Sequence, residues 1–290
     1  MYQGRVSESN PLQGTQVYDG SGWVRYGCST YSASSSSKPD GKIDESVVYD
    51  PTKVWDASSQ TAVNGQGDFA DYNWVKTTCT DSAAAATALS TGQKVYNNSM
   101  NWSSFPAPTG TPLDGRTIAE IAKAEGKAVG SISSVQFSHA TPAGLGGAHN
   151  ISRNNYEAIA NEMLSCDWLD VIMGAGHPDY DDNGALKESP NYRYVGGEAT
   201  WTALENGTHE GGWTLVDEKA DFEALANPSR FTVLPTKIVG VPQVASTLQQ
   251  SRSGGNAEHE PFAETVPLNS NVPDLATMSL AALNVLNQDE

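Results

Sequence analysis

Hydrophobic positions change their period several times between residues 75 and 176, and each change marks an element. A short stretch with β-branched residues, Val75 to Thr78, leads into Asp81-Ser82, then Ala83 to Ala86, then Gly92. That is the order of an extended segment turning into a capped helix that a glycine stops. Asp114-Gly115-Arg116-Thr117 opens a second helix, in which Ile118, Ile121 and Ala122 share one face and which Gly126 ends. Lys127 to Ile132 reads as a buried strand and Phe137 to Asn150 as a loop. A helix follows over Asn154 to Leu164, with Ile159, Met163 and Leu164 apolar, and Asp170 to Gly174 is the next short strand. Helix, strand, loop, helix and strand at these lengths predict parallel crossover units. The expected fold class is therefore α/β, with a mostly parallel central sheet covered by helices on both faces. Functional loops in such sheets lie at the carboxyl ends of strands, where Ser82 and the Phe137–Asn150 loop would fall.

The flanks are less regular. Residues 1–70 are rich in Gly, Ser, Asn and Tyr, with short strands expected at Trp23–Tyr26 and Val47–Tyr49 and a serine run at Ser34 to Ser37. They read as a loop-rich insertion. Residues 71–176 are the core of a single domain, 177–270 an irregular insertion with short strands, and 271–290 an amphipathic helix. The third segment should hold a helix at Glu218–Leu225 and strands near Phe231–Leu234 and Lys237–Val241. In the last, Leu275, Met278, Leu280, Leu283 and Leu286 are apolar.

Composition narrows the partners. The 290 residues carry 34 acidic and 17 basic side chains, a net charge of −17. Such acidity opposes binding to nucleic acid or anionic lipid, and an anionic substrate would need local positive charge. No apolar run reaches membrane-spanning length, and no signal peptide opens the chain. Cys28, Cys79 and Cys166 fit no zinc spacing, and either one disulfide with one free thiol or three thiols would satisfy them.

Ser82 stands where the chain enters a helix. Backbone N–H groups of a first turn lack intrahelical partners and carry the positive end of the helix dipole, so an anion is favoured beside the Ser82 hydroxyl. Asp81 is a good N-cap type, and the small alanines allow close approach. Ser138-His139-Ala140-Thr141-Pro142-Ala143 follows the strand ending near Val135. On an extended loop, His139 and Thr141 would project to one side and could serve one cation.

Thr80-Asp81-Ser82-Ala83-Ala84-Ala85-Ala86-Thr87-Ala88, followed by Ser90-Thr91-Gly92, resembles the nucleophile signature of the alkaline phosphatase family. The resemblance continues through Thr117-Ile118-Ala119-Glu120-Ile121-Ala122-Lys123 and Gly126-Lys127-Ala128-Val129-Gly130 into the His139 loop. It covers Trp74–Gly176, and more weakly Glu218–Leu286. It implies Ser82 as a catalytic nucleophile forming a phosphoserine, and Arg153, Ala83 and Asp81 as phosphate-binding residues. It implies Thr141, His139 and Ser82 as metal-site residues for two Zn2+ and one Mg2+. His139 stands where some branches have aspartate, so either a direct or an indirect role toward magnesium is open to it. Arg153 lies one residue farther from Thr141 than in the family pattern, which places a small insertion around Gly146-Gly147. The resemblance further implies small phosphomonoester substrates, a homodimer when complete, and a periplasmic or extracellular location. No Gly-Asp-Gly strand precedes the match, and the chain ends before the family's remaining ligands, so an internal fragment, inactive by itself, is expected.

Other signals compete. Asp179-Tyr180-Asp181-Asp182-Asn183-Gly184 fits the first half of a calcium loop, with Asp179, Asp181 and Asn183 as Ca2+ ligands, but Pro190 at the twelfth position rules out an EF-hand. His177, His209 and His259 lack ligand-like spacing and read as surface residues. Asn97, Asn101, Asn150 and Asn206 lie in glycosylation sequons. Against the phosphomonoesterase stand a phosphodiesterase or sulfatase of the same superfamily, and a non-catalytic phosphate- or calcium-binding module. A serine esterase is disfavoured because no G-x-S-x-G elbow surrounds Ser82.

Overall fold

The computed structural model describes residues 58–60, 68–69, 80–103, 110–229, 233–253 and 267–289. The chain falls into two units. In the first, the described residues form one antiparallel pair, β1 (Ser59–Gln60) with β2 (Asp68–Phe69). The strands expected at Trp23–Tyr26 and Val47–Tyr49, the approach Val75–Thr78, and Cys28 and Cys79 lie outside the described residues.

The second unit carries the site. Helix α1 (Ser82–Thr91) starts at the N-cap Asp81 and stops at Gly92, whose φ of 71° is the left-handed conformation that glycine adopts without strain. A short antiparallel pair follows, β3 (Trp102–Ser103) with β4 (Thr111–Pro112). Helix α2 (Ile118–Ala124) opens with a full capping box between Thr117 and Glu120. Next come β5 (Gly130–Gln136), α3 (Ala140–Leu145), α4 (Tyr156–Ser165) and β6 (Val171–Ala175). A 3-10 turn at Tyr192–Tyr194 leads to α5 (Glu198–Glu205), β7 (Thr214–Val216), α6 (Lys219–Ala226), β8 (Ile238–Gly240) and α7 (Leu275–Leu286).

Among the described residues the central sheet has four strands in the order β5-β6-β8-β7, every neighbour parallel. All five residues of β6 are buried. Its side chains alternate between two cores, as a two-residue period requires. Ile172 packs with Ile159, Met163 and Leu164 of α4, while Val171 and Met173 pack with Phe222 of α6 and Met278 and Ala282 of α7. The α/β architecture, with helices on both faces of a parallel sheet, is therefore as expected. Residues 177–270 contribute two of these four strands; β7 is too short to announce itself in sequence.

Two local expectations are overturned. The Phe137–Asn150 stretch is not a continuous loop, because residues 140–145 are helical. Six residues containing Pro142 and Gly144 have no propensity signal; tertiary packing stabilises them. Gly144 lets α3 lie against α1, where a Cβ would come within 2.8 Å of the Ala86 Cβ. His177 is not a surface residue but is 4% exposed. It follows β6, with Nε2 3.4 Å from Asp217 and its ring against Tyr180 and Trp201. Cys166 is a buried free thiol whose pKa burial raises. No helix among the described residues is long and apolar enough to cross a membrane.

Candidate active site

Asp81 organises the site through both carboxylate oxygens. Oδ2 accepts from the Ala83 N–H at 2.9 Å and from Arg153 Nη1 at 3.2 Å. Oδ1 accepts from the Ala84 N–H at 3.2 Å and from the Asn98 N–H at 3.0 Å. One side chain thus caps α1, anchors the chain beyond it and holds the guanidinium. Arg153 Nη1 also donates to Ser82 Oγ at 2.5 Å. The nucleophile candidate, its cap and the arginine are therefore brought together from residues 71 positions apart. Ala83 faces this cluster too, with its N–H engaged by Asp81.

The segment that follows α1, residues 97–101, positions Arg153. The Asn98 carbonyl accepts from the Arg153 N–H at 2.8 Å, and Met100 and Asn150 exchange both backbone hydrogen bonds. Asn101 is fully buried; its N–H donates to Thr87 Oγ1 and its amide donates to the carbonyls of Gly144 and Ala148. Through its backbone N–H and its amide together, Asn101 ties α1, α3 and the arginine loop into one body, so the Asn101 sequon is closed to glycosylation in the folded chain. Asn98 and Asn101 both have positive φ, which asparagine tolerates better than most residues. Only that combination of Asn type and neighbouring turn signals could have flagged the segment.

His139 stands at the N-cap position of α3 without a side-chain capping bond and is half-buried; its Nδ1 lies 3.4 Å from Arg153 Nη2 and its ring stacks on Tyr156. Burial, and then the Arg153 charge, lower its pKa, so it is neutral at pH 7 and above. Thr141 is exposed in the first turn of α3 and lines a separate cavity along β5 with Gly130, Ser133 and Leu145. The turn into α3 replaces the extended geometry that would have set His139 and Thr141 side by side.

These donors do not make a divalent-cation centre. Asp81 is committed to three N–H groups and a guanidinium, and a cation at His139 Nδ1 would face Arg153. Among the described residues no three His, Cys, Asp or Glu side chains converge on a metal site. The calcium loop is likewise corrected. Asp181 Oδ1 accepts from the Asn183 and Ala185 N–H groups, and Asn183 Oδ1 accepts from the Ser253 N–H and hydroxyl. The Oδ1 atoms of Asp181 and Asn183 thus satisfy the loop's own backbone and a neighbouring turn.

Behind the arginine loop, buried His149 sits between two carboxylates. Its Nδ1 is 3.0 Å from Glu162, and its Nε2 is 3.7 Å from Glu120. Burial opposes its charge, but the Glu162 hydrogen bond and the charges of Glu162, Glu120 and Asp114 outweigh burial and raise its pKa. A raised folded-state pKa stabilises the fold fully below the unfolded value near 6.5, and this is lost as pH rises through the folded value. The stability difference between the parent and His149→Gln should therefore shrink from pH 6 to pH 9. Urea midpoints measured across that range check it, and a constant or widening difference refutes it.

The family model for "Alkaline phosphatase" matches residues 59–290. Alkaline phosphatase 3 of Bacillus subtilis is 39% identical over 125 residues, covering 40% of this chain and 26% of that protein. The alkaline phosphatase of Escherichia fergusonii is 43% identical over 234 residues, covering 73% of this chain and 46% of that protein. A cold-active alkaline phosphatase from the psychrophile Shewanella sp. aligns with a TM-score of 0.47 at 29% identity, over 73% of this chain and 40% of that one. The chain thus spans between about a quarter and about half of these relatives' lengths. With a family match over well more than half of its residues, and Ser82 seated at a helix start under an arginine, this chain belongs to the alkaline phosphatase family.

Proposed function

We propose that the complete protein hydrolyses small phosphate monoesters through a covalent phosphoserine on Ser82. The observation that supports this reading best is the Arg153 guanidinium, which donates to Ser82 Oγ while Asp81 holds it in place. Serine is a poor nucleophile at its ordinary pKa, and a cationic donor on its oxygen lowers the cost of the alkoxide. The same planar fork suits two phosphoryl oxygens, and the dipole of α1 favours their charge. Ala83 and Ala84 give their N–H groups to Asp81, so Arg153 and the helix end carry the anion. His139, neutral and stacked on Tyr156, limits the swing of Arg153.

Two zinc ions and one magnesium belong to this proposal for the complete protein, where the family resemblance would assign Thr141, His139 and Ser82 to their sites. The donors present do not fit such ions, so binding and orienting the ester is the part this chain's own side chains perform. The 290 residues alone are expected not to turn over. A periplasmic or extracellular location and a homodimeric state are part of the same reading.

The test uses the full-length protein with added zinc and a 32P-labelled monoester, quenched in acid. Label is expected on Ser82 in the parent and none in Ser82→Ala, whose turnover should fall by at least about a thousandfold. An alanine variant as fast as the parent ends the proposal. Comparing monoesters with diesters and sulfate esters separates the phosphomonoesterase from the other chemistries of the superfamily.

A further inference from the structure

An open cleft of about 490 Å3 begins one residue beyond Arg153, lined by Asn154, Asn155, Tyr156, Glu157 and Arg193 among others. Its size is in the range of small-molecule sites. Arg193 is exposed, and its guanidinium lies over the Tyr156 ring at 4.6 Å and near the Tyr194 ring at 5.7 Å. Among the described residues it makes no carboxylate ion pair, although acidic residues outnumber basic ones two to one. The guanidinium's hydrogen bond there is a 3.4 Å contact to the Asn154 carbonyl. Glu157 lies against Gly197, where a Cβ would be 2.9 Å from its Oε1. Aromatic stacking holds Arg193 in place without neutralising it, so its charge remains available to an anion.

This cation is coupled to the reacting centre by contact. Tyr156, beneath Arg193, stacks on His139, and His139 touches Arg153, which donates to Ser82. Resting on the reading that Ser82 and Arg153 take a phosphoryl group, we infer that the Tyr156–Arg193 cleft is a subsite for a second anionic group on the substrate's leaving portion. The substrates it favours are esters that carry a second phosphate, such as a sugar bisphosphate, over those with one phosphate. Tyr156 offers a face to the sugar carbons and Arg193 a fork to the distal phosphate. Elsewhere on a surface of net charge −17 the additional charge would be repelled, so a preference for it requires a placed cation.

The 290-residue chain titrated at low ionic strength with glucose 1,6-bisphosphate and with glucose 6-phosphate, by NMR shift or calorimetry, tests this. The bisphosphate should bind roughly five- to tenfold more tightly, beyond the about twofold statistical advantage of two phosphates. Arg193→Gln should remove that preference and leave glucose 6-phosphate affinity unchanged. Equal affinities in the parent, or a preference that survives in Arg193→Gln, overturn the subsite. Arg153→Gln separates this failure from that of the underlying reading, because it should weaken both ligands. If it weakens neither, the phosphate site at Ser82 falls, and the subsite with it.

Discussion

Replacing Asp81 with alanine is expected to destabilise the chain by about 3 kcal/mol. The figure combines a lost N-cap, about 1 kcal/mol, with charge-assisted hydrogen bonds at a site whose side chain is 14% exposed. The losses do not simply add, because all four partners share one carboxylate. The Asp81→Asn variant is the informative comparison. Its single side-chain carbonyl oxygen can keep the Ala84 and Asn98 N–H groups, but its NH2 then meets two donors, Ala83 N–H and Arg153 Nη1. Asp81→Asn should therefore retain roughly half of the lost stability while releasing Arg153 from its oxygen anchor. Urea unfolding of the parent and both variants checks the ranking. An Asp81→Asn midpoint equal to that of the parent would show that the Oδ2 contacts contribute nothing.

Gly174→Ala, a change of one methyl group in the middle of β6, is expected to cost about as much, near 3 kcal/mol. A Cβ at residue 174 would lie 2.6 Å from the Val135 carbonyl oxygen and 2.7 Å from the Phe137 nitrogen. Both are backbone atoms, so no rotamer change relieves the clash. The crowding follows from the pairing: Ile132 pairs with Met173 and Gln136 with Ala175, so four residues of β5 advance against two of β6. The excess backbone passes over Gly174 on its way to Ser138 and His139. The same substitution at Gly92, with φ +71° and open space around it, should cost only about 1 kcal/mol. Thermal or urea midpoints of the two variants give the contrast, and equal costs would refute the packing argument. A displaced β5 end should also shift the His139 and Arg153 NMR signals in Gly174→Ala, and leave them in place in Gly92→Ala.

The elements around the site differ in how openly the chain announces them. Helix α1 is bounded by residue types that act locally, Asp81 at one end and Gly92 at the other, and α2 by the Thr117–Glu120 box. Strand β5, expected as a buried strand, is mostly half-buried, whereas β6, buried along its whole length, and helices α4, α6 and α7 have apolar positions that register in sequence. Helix α3 and strand β7 do not, being short and held by neighbours. Ser82 and Asp81 are legible as residues with apt chemistry at a helix start, and Arg153 only through the family resemblance. His149 between Glu120 and Glu162 is not legible, nor is Asn101 inside its three carbonyl and hydroxyl partners.

Local chemistry by itself determined the capped start of the Ser82 helix, the α/β layering and the need for a cation beside an anionic ligand. Hydrophobic period, capping side chains and net charge act over a few residues or over the whole surface, and both ranges are visible in one dimension. Only the tertiary structure decided that Arg153 reaches Ser82, that His139 faces a guanidinium, and that Arg193 stands on Tyr156 with no carboxylate partner among the described residues. Those outcomes depend on distances between residues far apart in sequence. Sheet pairing, the excess residues in β5 and the buried Asn101 brace set those distances, and none of them has a local signature.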